Sequence, residues 1–210
     1  MKSINFMKIC LFVFFILFLT SCSSIQKDWK TDGSTIEKDI ALSKKHGLML
    51  FTASDTDPQS KNLLENVFTG SLFSKINKDF IFYNIDIVKD EKSADSVQLE
   101  KNYVLFSDYN ITQVPYLCLM NEHGDVYHSD IIPEQITTPS SFLEYLNELK
   151  EKGKAVENLR KNINETDGTE KIKAINAFFN KIYLVDSEKY RNLFEEGIKS
   201  DPSNESGLLG

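Results

Sequence analysis

The residues of this 210-residue chain best placed for chemistry lie in one stretch, Thr52-Ala53-Ser54-Asp55-Thr56-Asp57-Pro58-Gln59-Ser60-Lys61. It joins an apolar run, Leu48 to Phe51, to a segment with Leu63, Leu64, Val67 and Phe68 on one helical side. Pro58 suits the first helical position, where its missing N–H is no loss. Asp57 is then the natural N-cap, an anion at the positive end of the helix dipole. Asp55 and Asp57 form a D-x-D pair that could touch a hard cation, but no glycine and terminal glutamate complete a calcium loop. Ser60 has no neighbouring histidine to activate its hydroxyl. His46 adjoins Gly47, and His123 and His128 flank a turn with no cysteine or third histidine to make a metal site. Neither a Gly-rich phosphate loop nor a serine elbow is present. No metal and no cofactor is therefore expected.

The three cysteines are Cys10, Cys22 and Cys118. Cys10 lies in an apolar run, Ile9 to Leu19, that follows Lys2 and Lys8. That run is shorter than the ~20 residues a spanning helix needs, and it fits the apolar region of a signal peptide over residues 1–21. The ending Leu19-Thr20-Ser21-Cys22 resembles the lipobox of bacterial lipoproteins. The resemblance implies that Cys22 becomes a lipid thioether and that the chain is cut before it. The alternative is an ordinary secretory signal with an unrelated cysteine. Loss of Lys2 and Lys8 leaves 22 basic against 31 acidic residues, a net charge of −9. Such a surface disfavours nucleic acid and anionic headgroups, so the lipid must hold the protein to its membrane. Only Cys118 would remain a thiol, in the apolar run Tyr116 to Met120. It is expected to be a small buried hydrophobe.

Local patterns give the elements that must position the Asp57 loop. Residues 22–30 read as a polar tether. Ser34-Thr35-Ile36-Glu37 has capping-box spacing and opens a helix to about Lys45, with Ile36, Ile40 and Leu42 or Ala41 inward and Gly47 as its stop. Strands are expected at Leu48–Ala53, Phe80–Asp86, Val114–Met120 and Val126–Ser129. The helix begun at Pro58 runs to about Thr69. Lys89 to Lys101 begins as loop and becomes helical toward Phe106. A helix follows Thr138-Pro139. Beyond Gly153 the pattern is helical only, with apolar faces at Val156-Leu159-Ile163, Ile172-Ile175-Phe178 and Tyr190-Leu193-Ile198. Two regions result: residues 31–152, and a small helical extension over 153–210.

The element order, with Val114-Pro115 opening the third strand, resembles a thioredoxin-like fold, a three-layer α/β/α architecture. It is similar to secreted bacterial members whose loop reads roughly F-T-G-S-D-W-C-x-x-C-K. Phe51 to Lys61 align with that motif, Asp86 follows the second strand, and Gly124 lies downstream of Pro115. The resemblance implies a cis bond before Pro115 and a peptide-binding groove at Thr56, Asp57, Gln59, Ser60, Pro115 and Tyr116. Where the family carries its two cysteines, this chain has Asp57 and Ser60, and Thr56 replaces the tryptophan. Thiol–disulfide exchange requires a thiolate, and this loop offers none.

Three functions follow from these readings. The first is a membrane-anchored, extracytoplasmic binding module that holds an envelope protein or peptide without catalysis. The second is a thiol–disulfide oxidoreductase or redox-homeostasis protein of the envelope working through Cys118 or a partner's cysteines. The third is a structural spacer.

Overall fold

The computed structural model describes residues 29–88, 95–183, 185–201 and 203–204. The expected signal segment, Cys22 and the loop at 89–94 lie outside the described residues. Trp29 and Lys30, the last residues of the expected tether, pack onto the domain. The Trp29 ring meets Phe68, Phe73 and Phe82 edge-on at 4.9, 5.4 and 6.1 Å. Lys30 donates its N–H to Phe82 and accepts from Asn84.

Four strands form one mixed sheet in the order β2-β1-β3-β4. They are β1 His46–Thr52, β2 Phe80–Asp86, β3 Tyr116–Met120 and β4 Val126–Ile131. β1 runs parallel to β2 and antiparallel to β3, and β3 and β4 form an antiparallel hairpin. The helices, in chain order, are α1 Ile36–Ser43, α2 Pro58–Asn62, α3 Gly70–Ile76, α4 Ser96–Asp108, α5 Pro139–Glu165, α6 Gly168–Phe179 and α7 Arg191–Ser200. Both faces of β1 are buried, which is why its sequence reads as a continuous apolar run rather than an alternation.

The two faces carry separate cores. Leu48, Leu50, Leu117 and Leu119 point to one side, against Leu63 and Val67, α3 and α5. Met49, Phe51, Cys118 and Met120 point to the other, against α1 and Phe106 of α4. The first core continues without a break into Ile175, Phe178 and Tyr190 of the C-terminal helices.

Several expected boundaries move. Asp32 accepts from Ser34 N and caps a short 3-10 turn, Gly33–Thr35, that leads into α1, which has no side-chain cap of its own. Ser34 and Glu37 form no capping box there. Lys44, left-handed at φ 56°, ends α1. Gly47 instead lies in β1, where a Cβ would come within 2.8 Å of Ile40 and 3.0 Å of Ile36. Leu42 is 74% exposed and Ala41 is also exposed, so neither faces inward. The helix from Pro58 passes into a π turn, Leu63–Val67, before α3, which the sequence reading lacked.

Gly153 lies inside a helix rather than between two. The helix at Phe142–Leu149 and the one at Val156–Ile163 are a single 27-residue helix, α5, so the step between residues 152 and 153 falls inside it. Gly153 is buried over the Tyr127 ring, where a Cβ would lie 3.1 Å from Cζ. The glycine lets helix and sheet approach; it does not end the helix.

Candidate functional site

The loop after β1 is a tight turn made largely by its own backbone. Thr56 N and Asp57 N both donate to the Ala53 carbonyl, at 3.0 and 2.8 Å. Asp57 has extended backbone, and its carboxylate accepts from Ser60 N at 2.6 Å, the N-cap expected from sequence. Ser60 is fully buried, and its Oγ accepts from Ala53 N at 3.3 Å. These two side chains close the turn from inside.

Asp86, at the end of β2, holds the loop from the other side. Its Oδ1 accepts from Thr52 Oγ1 at 2.8 Å and from Ser54 N at 2.9 Å, and its Oδ2 accepts from the Ser54 hydroxyl. The parallel register that places Thr52 beside Asp86 makes this possible. Asn102 of α4 donates to the Asp86 carbonyl at 2.8 Å. Beside the loop opens a concavity of about 490 Å³ walled by Trp29, Ser54, Leu64, Glu65 and Asn84.

The six residues expected to form a groove divide. The Gln59 amide donates to the carbonyls of Ile132 and Pro133 at 3.2 and 3.3 Å. Ile132 N in turn donates to the Pro115 carbonyl at 2.9 Å. The helix start, the Ile132–Pro133 crossing and Pro115 are thus laced together. The Val114–Pro115 bond is cis, as the resemblance implied. Of these residues Thr56 is exposed, Asp57 and Gln59 are half-buried, and Pro115 is buried.

Tyr116 is not brought to the helix tip by its side chain. It follows the two-residue period of β3 and packs with Cys118 and Phe51 on the face opposite α2. There the Tyr116 hydroxyl accepts from Ser129 Oγ at 3.2 Å, and Ser129 Oγ lies 3.1 Å from Cys118 Sγ. Burial pushes the Cys118 thiol up to about 12, against a smaller opposing effect of the Ser129 contact. The thiol is fully buried and stays protonated near neutrality.

His46 and His128 are held by neighbouring side chains. His46 Nδ1 lies 3.2 Å from the Tyr127 hydroxyl, and its Nε2 lies 3.2 Å from Glu157. His128 is buried with Nε2 3.0 Å from the Tyr145 hydroxyl. Among the described residues no group of three or more His, Cys, Asp or Glu side chains could hold a metal ion.

Residues 35–150 match the thioredoxin-like domain family. An uncharacterized protein of Treponema pallidum (strain Nichols) is 26% identical over 192 residues, 91% of this chain. The chain spans only 62% of that relative's length. Among solved structures, a DsbH oxidoreductase is 15% identical, with a TM-score of 0.48 over 58% of this chain and 82% of that one.

Proposed function

Since this chain belongs to the thioredoxin-like domain family, we propose that it uses the family's scaffold as a non-catalytic binding module, anchored through a lipid on Cys22 at the extracytoplasmic face of a bacterial membrane. One observation carries the reading. The position where family members place a nucleophilic thiol is occupied by the Asp57 carboxylate, which spends its charge on Ser60 N at 2.6 Å. A helix N-terminus lowers a thiol's pKa by favouring an anion. Here the same field holds a carboxylate, which caps the helix and does not attack a disulfide. Cys118 does not substitute for it, being buried on the far face of the sheet with its pKa raised.

Exposed Thr56 and the adjoining concavity are where a segment of an envelope protein would lie. Ser60 braces the turn from inside, and Gln59 and Pro115 tie the helix start to the Ile132–Pro133 crossing. The membrane assignment rests on the Leu19-Thr20-Ser21-Cys22 sequence. Its test is metabolic labelling: radioactive palmitate should enter the protein and Cys22→Ser should abolish the incorporation, and a protein with Cys22 intact that takes up no label would contradict the anchor. Binding is tested by a photo-crosslinking amino acid at Thr56 in intact envelopes, with the same group at Lys199 as control. A discrete adduct from position 56 alone is expected. No adduct, or the same adducts from both positions, would contradict the binding role.

A further inference from the structure

The chain is acidic, with a formal net charge of −7, but its charge is not spread evenly. At the end of the sheet where β1 and β2 begin, Lys44 and Lys45 precede β1 and Lys78 precedes β2. A notch of about 430 Å³ opens there, walled in part by Lys44, His46, Lys78, Asp79, Lys150 and Lys154. Its acids are spent. Asp79 accepts from Lys150 Nζ at 2.6 Å, and Glu157 lies 3.2 Å from His46 Nε2. Lys154 pairs with Glu151 at 2.6 Å. Lys45 Nζ donates to the Asn77 carbonyl at 2.7 Å, a neutral acceptor that leaves its charge unbalanced. Lys44 and Lys78 have no carboxylate partner among the described residues. Leu42, two residues before Lys44 in the last turn of α1, is exposed. The opposite end of the sheet, around the Asp57 loop, carries Asp55, Asp57, Asp86 and Asp130 against Lys61.

The tether meets the domain from the basic side. Lys30 pairs with Tyr83 parallel to β2, so the upstream end of that segment points toward Phe80 and Lys78. Trp29 is seven residues on from Cys22, a reach of at most about 25 Å. A lipid on Cys22 therefore keeps Trp29 within that distance of the headgroups.

We propose that this corner is the membrane-facing surface of the domain. Lys44, Lys45 and Lys78 rest on anionic lipid headgroups, Leu42 enters between them, and the Asp57 loop is turned away from the bilayer toward its partner. The proposal rests on the lipid anchor inferred above: the lipid holds the protein, and the lysines choose which end faces the membrane. Each lysine beside an anionic surface is worth about fivefold in binding. Three of them favour the basic end by about a hundredfold. The acidic end is repelled by the same field. Both effects fade as salt shortens the Debye length.

The test supplies the anchor chemically. The chain from Cys22 onward is coupled through the Cys22 thiol to a maleimide lipid, which buried, protonated Cys118 leaves alone. A dye is placed, through an azido amino acid, at exposed Asn77 in one sample and at exposed Thr56 in another. Vesicles of phosphatidylcholine, with or without a third of phosphatidylglycerol, carry a nitroxide quencher on their headgroups. Phosphatidylglycerol should raise the quenching ratio, position 77 over position 56, by about threefold or more. Raised salt, and the triple variant Lys44→Gln, Lys45→Gln, Lys78→Gln, should each return the ratio to that of phosphatidylcholine alone. A ratio that phosphatidylglycerol leaves unchanged or lowers would overturn the proposal. So would a raised ratio that survives the triple variant. A ratio abolished by inorganic phosphate but not by chloride of equal ionic strength would overturn it too, pointing to a soluble phosphate ligand. Because the lipid is attached in vitro, these outcomes are independent of whether palmitate labels the protein in cells.

Discussion

Asp57 does its work through one contact, the 2.6 Å acceptance from Ser60 N. Asp57→Ala should lower stability by about 1 kcal/mol, within the 0.5–2 kcal/mol range of N-caps, and Asp57→Asn by much less, as read by urea unfolding. This cap was legible in the sequence because capping is local: an Asp-Pro step before an apolar helical face needs no tertiary information. Tyr116 was misread for the opposite reason. Sequence alone showed its adjacency to Pro115, but the period of β3 sends its ring to the other face. Gln59 shows a third case. Its residue type suggested a free polar contact, whereas the fold brings the carbonyls of Ile132 and Pro133 within its reach from more than seventy positions away.

At the scale of elements, α5 is the piece that sequence reading divided. A glycine lowers helix propensity by about 1 kcal/mol, so Gly153 read as a break. The requirement it meets, close approach to the Tyr127 ring, appears only when helix and sheet are packed. Gly153→Leu should therefore destabilise the protein by about 1–3 kcal/mol through overpacking. The same interface holds His128, buried under α5, whose Nδ1 has no hydrogen-bond partner among the described residues. Burial lowers its pKa to about 4, helped by Lys152 and opposed by Asp130. The unfolded chain, with its ordinary value near 6.5, then binds a proton before the folded one does. Stability contributed by neutral His128 is complete above about pH 6.5 and is lost as pH falls toward 4. The lowered pKa of His46, due first to burial, acts in the same direction. Urea midpoints should fall between pH 7 and pH 5, on the order of 1–2 kcal/mol from His128. His128→Gln should flatten that dependence.

At the scale of the molecule, one buried carboxylate ties the β3–β4 turn to α5 and to the segment ahead of α7. Asp125, in the β3–β4 turn, is fully buried. It accepts from Arg160 of α5 at 2.8 and 2.5 Å, from Asn121 at 3.0 Å, and from the Tyr190 hydroxyl ahead of α7 at 3.0 Å. Burial alone would raise its pKa, but the hydrogen bonds and charge of Arg160, with Asn121 and Tyr190, hold it below the ordinary value. Asp125→Ala should cost about 3–5 kcal/mol, the range for breaking a buried ion pair, and should loosen the C-terminal helices along with the hairpin. Nothing in the local pattern marked Asp125: an Asn-Glu-His-Gly-Asp run reads as a solvated turn until Arg160 arrives. The strands β1, β2 and β3, by contrast, were legible because each is an apolar run bounded by turn residues, and β4 because it follows the Asn-Glu-His-Gly-Asp turn. Retention of this scaffold without its thiol chemistry is tested most directly by turbidimetric insulin reduction, with dithiothreitol as electron source. The chain from Cys22 onward should be indistinguishable from the no-protein control; catalysis above that control that Cys118→Ser abolishes would contradict the account.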